Sequence, residues 1–146
     1  MSEKSGPPFA SKHGQKTREQ IDPSIRESFE RHAPQGELAC AVAFRLADEL
    51  RKPPAAIGEA ADLLGIRLVK CQMGLFGYAP EKKIVEAAAA VDADLEAAIT
   101  RRIENGRLPC AAAWSVAQEF NLSRMGVSAA CEALGVKIKP CQLGAF

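Results

Sequence analysis

The chain has 146 residues, of which 47% are hydrophobic and 25% charged, with a formal net charge of +1. That mix belongs to an ordinary globular protein, and its near-neutral balance argues against a mainly electrostatic task such as coating nucleic acid or a membrane surface. The apolar runs are alanine-rich and broken by charges, none reaching the ~20 residues of a bilayer span.

Residues 1–20 are rich in Ser, Gly, Pro, Lys and Gln without an apolar period, which predicts a solvated, disordered tail. This stretch also lacks the apolar middle of a secretory signal, so a cytoplasmic location is expected. Asp22 followed by Pro23 is a helix-start signal. The helix it opens carries Ile25 and Phe29 and stops near Ala33-Pro34. Leu38, Val42, Leu46 and Leu50 then recur every four residues and predict a second helix. A break at Arg51-Lys52-Pro53-Pro54 leads to a third helix with Ile57, Ala60, Ala61 and Leu64, closed by Gly65 as a left-handed C-cap. Ile66-Arg67-Leu68 alternates as a strand does, and the chain then turns through Gly74 and Gly77.

The second half repeats this order. Glu81 to Glu104 has no Gly or Pro and an alanine run, which predicts one long helix ending at a C-cap pair, Asn105-Gly106. A helix through Leu108, Ala112, Val116 and Phe120 follows, with Pro109 suited to its first position. Next come Ser123 as an N-cap, a helix through Val127, Ala130, Cys131 and Leu134, Gly135, and a strand over Val136–Lys139. Shifted by 70 positions, Gly36–Phe76 falls on Gly106–Phe146 without a gap. The identities include Cys40/Cys110, Glu49/Glu119, Leu64/Leu134, Gly65/Gly135, Cys71/Cys141, Gln72/Gln142, Gly74/Gly144 and Phe76/Phe146. One supersecondary unit used twice is the consequence. The expected fold is mainly α: two copies of a three-helix unit, each followed by a short β-strand, over residues 21–78 and 79–146 and related by a pseudo-two-fold. The two repeat strands are expected to pair with each other, or with those of a second copy in a homodimer.

The segments LADELRKPPAAIGEAADLLGIRL and VAQEFNLSRMGVSAACEALGVKI resemble helix-turn-helix sequences with a wing-like strand. Ala117 is the small residue inside the second helix, Ser123 lies in the turn, and Val127 and Leu134 anchor the third helix. The resemblance implies a tandem helix-turn-helix, winged-helix-like protein that regulates transcription by binding DNA. Recognition helices read base edges with cationic and amide side chains. Here Pro54–Leu64 contains no Lys, Arg, Asn or Gln, and Ser123–Leu134 offers only Arg124. The remaining candidates for DNA contact flank these helices: Arg51, Lys52, Arg67, Lys70, Lys137 and Lys139. An acidic, alanine-rich third helix also suits a protein partner.

The cysteines are the other candidates. Cys40 and Cys110 stand in the first turn of their helices, where the helix dipole favours a thiolate. Cys71 and Cys141 follow the strands, each in a CQ-x-G-x-F sequence. Each pair could meet, and Cys40, Cys71, Cys110 and Cys141 together could hold a soft metal ion, although the close Cys-x-x-Cys spacing of structural zinc is absent. Buried thiols acting as small hydrophobes are the alternative, and Cys131 is expected in the core. No repeated histidine, catalytic triad, phosphate loop or converging carboxylate pair occurs, so an enzyme is not expected. Three functions stay open: DNA-binding regulator, protein-interaction module, and thiol-based metal or redox sensor.

Overall fold

The computed structural model describes residues 20–145. The predicted tail, apart from Gln20, and Phe146 lie outside them. The described chain is mainly helical, with short strands, in the order α1 (Pro23–His32), β1 (Glu37–Ala39), α2 (Cys40–Leu50), α3 (Pro54–Leu64), β2 (Arg67–Val69), α4 (Ala93–Arg101), β3 (Arg107–Leu108), α5 (Cys110–Glu119), α6 (Arg124–Leu134) and β4 (Lys137–Ile138). Every element of the second half begins 70 residues after its counterpart in the first. No helix among the described residues is long and apolar enough to cross a membrane.

The chain divides into two compact units, one up to Val69 and the other from Lys70. In the first, Asp22 caps α1 by accepting the Ser24 N–H at 2.9 Å, and Pro23 occupies the opening turn. Phe29, Leu38, Leu46 and Ile57 are almost completely buried and join α1, β1, α2 and α3 into one core. In the second, Ser123 caps α6 through the Gly126 N–H at 2.9 Å. Its core contains Ile99, Leu108, Val116, Val127 and Cys131, together with Cys71 and Met73 from the first CQ turn. Both third helices end at a left-handed glycine, Gly65 and Gly135, each with φ of 72°.

Four expectations are corrected. The repeat strands do not pair with each other: β2 runs parallel to β1, with Leu38 opposite Leu68, and β4 runs parallel to β3, with Leu108 opposite Ile138. Leu38 and Leu108 therefore belong to strands, and α2 and α5 begin at the cysteines. The four-residue spacing hid this boundary, because Leu38 is buried from a strand in line with the helical stripe that follows. The long helix expected over Glu81–Glu104 is confined to α4.

Upstream of α4 the backbone spends its N–H groups on tertiary partners. The Ile84 and Val85 amides donate to the Gly74 carbonyl, the Ala88 amide donates to Ala129 of α6, and Lys83 pairs with Glu132 at 2.9 Å. Such contacts override the helix propensity of an alanine run. Asn105 and Gly106, both with positive φ, cap no helix; they turn a hairpin closed by the Glu104–Arg107 bridge. Asn-Gly is the preferred sequence for a two-residue hairpin turn.

Candidate functional site

The two CQ-x-G sequences fold alike. In the first, the Gly74 N–H donates to the Cys71 carbonyl at 2.9 Å; in the second, the Gly144 N–H donates to that of Cys141 at 3.0 Å. Both glycines have positive φ, 75° and 82°. Each turn aims the backbone N–H two residues on at the cysteine sulfur. Met73 donates to Cys71 Sγ and Leu143 to Cys141 Sγ, both at 3.4 Å. The Tyr78 hydroxyl ties down the first turn by donating to the Cys71 carbonyl at 2.6 Å.

Cys110 joins these two sulfurs within the second unit. Its amide donates to the Pro140 carbonyl at 3.0 Å, which seats the start of α5 beside the Cys141 turn. The Gln142 side-chain amide donates to Cys110 Sγ at 3.5 Å. All three sulfurs thus accept an N–H. Cys71 and Cys110 are buried and Cys141 is half-buried, and all five cysteines of the chain are free thiols.

The thiolate expected from the helix dipole at Cys110 is overturned. Burial pushes its thiol up to about 11, against a smaller lowering by the Gln142 hydrogen bonds, and the neighbouring Cys141 and Cys71 raise it further. Cys131, in the core as expected, is also raised to about 11 by burial. Cys40 is buried at the start of α2 in the first unit. Among the described residues, no three His, Cys, Asp or Glu side chains are placed to hold a metal ion.

A groove of about 680 Å³ at the α5–α6 turn is lined by Trp114, Ser115, Gln118, Ser123, Arg124 and Gln142, among others, and by no cysteine. Gln142 therefore reaches both the Cys110 sulfur and the groove. The Arg124 guanidinium lies 3.5 Å from the centre of the Trp114 ring and donates to the side-chain oxygen of Gln72, the neighbour of Cys71. The first unit has a smaller counterpart at its α2–α3 turn, lined by Phe44, Arg45, Asp48, Arg51 and Lys52, among others.

The candidate DNA contacts are unequal. Lys52 pairs with Asp22 at 2.7 Å, Arg67 pairs with Glu37 across the β1–β2 ladder, and Arg124 is held by Trp114 and Gln72. Arg51 is an exposed left-handed C-cap, Lys70 is exposed with a φ of 53°, and Lys137 and Lys139 are exposed on and beside β4. Sequence reasoning passed over Arg107, which faces Lys137 in the β3–β4 ladder, because the short strand before α5 was read as helix. Comparison with protein-family models, curated proteins and solved structures gave no match.

Proposed function

We propose that this chain is a helix-turn-helix-type regulatory protein whose cysteine cluster is its sensing element. In this reading the two units are helix-turn-helix-like repeats related by a pseudo-two-fold. Sulfur chemistry at Cys71, Cys110 and Cys141, either soft-metal binding or thiol modification, is the input, and DNA-backbone binding is the output. The carrying observation is the direct link between thiols and groove. Gln142 touches the Cys110 sulfur and lines the groove, while Gln72, adjacent to Cys71, holds the only cation of the third helices. A soft ion bound there would displace the thiol protons, and loading it requires the sulfurs to draw together.

Retention of a fluorescent DNA duplex at two salt concentrations, with and without cadmium ion, tests both halves. Salt-sensitive retention that changes with cadmium is expected; retention indifferent to cadmium removes the soft-metal input, and no retention at either salt removes the DNA half. A second reading, docking of a protein partner, is favoured by α3, which carries Glu59 and Asp62 and no cation. Partner capture without any duplex retention would select it.

A further inference from the structure

The two units fill the same strand positions with different charges. In the first, register partners Glu37 and Arg67 form an ion pair. In the second, the equivalent partners are Arg107 and Lys137, both exposed. Lys139 extends the row, since its amide donates to the Leu108 carbonyl at 2.8 Å and continues the parallel ladder. Residues 107, 137 and 139 alternate with buried Leu108 and Ile138, so the three cations share the outer face of one short sheet. Glu104 is joined to Arg107 by backbone hydrogen bonds across the hairpin, and its side chain is exposed. Like charges directly opposite each other in a sheet are destabilising. The first unit avoids that cost at the same positions and the second accepts it.

We infer that the outer face of the β3–β4 sheet, through Arg107, Lys137 and Lys139, is a docking surface for the phosphate backbone of a nucleic acid. This rests on the nucleic-acid reading above and narrows the contact from the cations flanking the third helices to the strands of the second unit, with Arg107 added. Three cations spaced by strand geometry on a twisted two-stranded edge can each neutralise a phosphate and release its counterion. Phosphate contacts of this kind fix position without reading bases, which agrees with third helices that lack base-reading side chains.

The test is duplex-DNA binding by fluorescence anisotropy over a salt series, on the full chain and on Arg107→Glu, Lys137→Gln, Lys139→Gln and the control Arg31→Glu, an exposed cation of α1. For the unaltered protein the affinity should fall with salt, with a log–log slope of about −0.9 per phosphate neutralised. Each lysine variant should make that slope shallower by about 1, and Arg107→Glu should weaken low-salt binding by about tenfold or more. Arg107→Glu should also raise the midpoint of thermal unfolding, because it restores the opposite-charge pairing seen in the first unit. Weaker binding with undiminished stability separates lost docking from lost folding. If the unaltered protein binds no duplex, the nucleic-acid reading and this surface both fall. If it binds but Arg107→Glu and Arg31→Glu weaken binding equally, only net charge matters and this surface alone is refuted.

Discussion

Cys131 offers a quantitative check on how the second core is built. Its thiol is 1% exposed and raised from 9.0 to about 11 by burial, while the repeat-equivalent residue, Ala61, is as buried with no ionisable group. Cys131→Ala therefore installs what the first unit already uses. A group whose folded pKa is raised contributes its full stability below the unfolded value. It loses that contribution as pH rises towards the folded value, because the unfolded chain releases its proton first. The window here runs from about pH 9 to about pH 11. Within it, the stability of the unaltered protein should fall relative to Cys131→Ala by up to about 1.4 kcal/mol per pH unit, approaching about 2.7 kcal/mol in all. Urea unfolding of both proteins under reducing conditions, at pH 7.5, 9, 10 and 11, measures the difference. Cys110, also raised to about 11, is common to both proteins, and its contribution cancels in the difference. A difference that stays constant across the range would refute the buried, neutral thiol.

Two further outcomes follow from local geometry. A β-carbon at Gly74 would come within 3.1 Å of Met125 Cε and 3.2 Å of Val85 Cβ, whereas one at Gly144 would meet nothing within 4 Å. Both glycines have positive φ, so alanine strains either site, but chemical denaturation should show Gly74→Ala losing more stability than Gly144→Ala, by roughly 1–3 kcal/mol of overpacking cost. Asp22 is lowered to about 2, mainly by the Lys52 hydrogen bond and then by Ser24. Its carboxyl resonance in an NMR titration should have its midpoint near that value and move up towards 3.8 in Lys52→Met; an unchanged midpoint would refute the pairing.

Elements whose signals are local were legible in the sequence. Asp22-Pro23, Ser123, Gly65 and Gly135 each act through their own backbone conformation or a hydrogen bond two or three residues away, and all behave as expected. Elements set by distant partners were not. The parallel pairing of β1 with β2 joins residues 30 apart, and nothing in Glu37-Leu38-Ala39 distinguishes a three-residue strand from the opening of a helix. The extended stretch before α4 carries helix-forming residues and is held by Gly74 and Ala129, far away in sequence.

At the site, repetition singled out the cysteines and glutamines. The meeting of Cys71 with Cys110 depends on the first CQ turn folding into the second unit, which no spacing rule encodes. The rise of the Cys110 thiol was misjudged for a physical reason. A helix dipole lowers a thiol only where the charged form keeps some solvation, and at 6% exposure desolvation outweighs it.

The central proposal, that the thiols of the second unit are coupled to the groove at the α5–α6 turn, has a built-in reporter, since Trp114 is the only tryptophan in the chain. Its fluorescence should be followed while cadmium ion is added to the reduced protein and to Cys110→Ser and Cys131→Ala variants. Saturable change of the Trp114 emission in the unaltered protein and in Cys131→Ala, lost in Cys110→Ser, is the predicted result. Emission that ignores cadmium, or that responds equally in Cys110→Ser, would contradict the coupling.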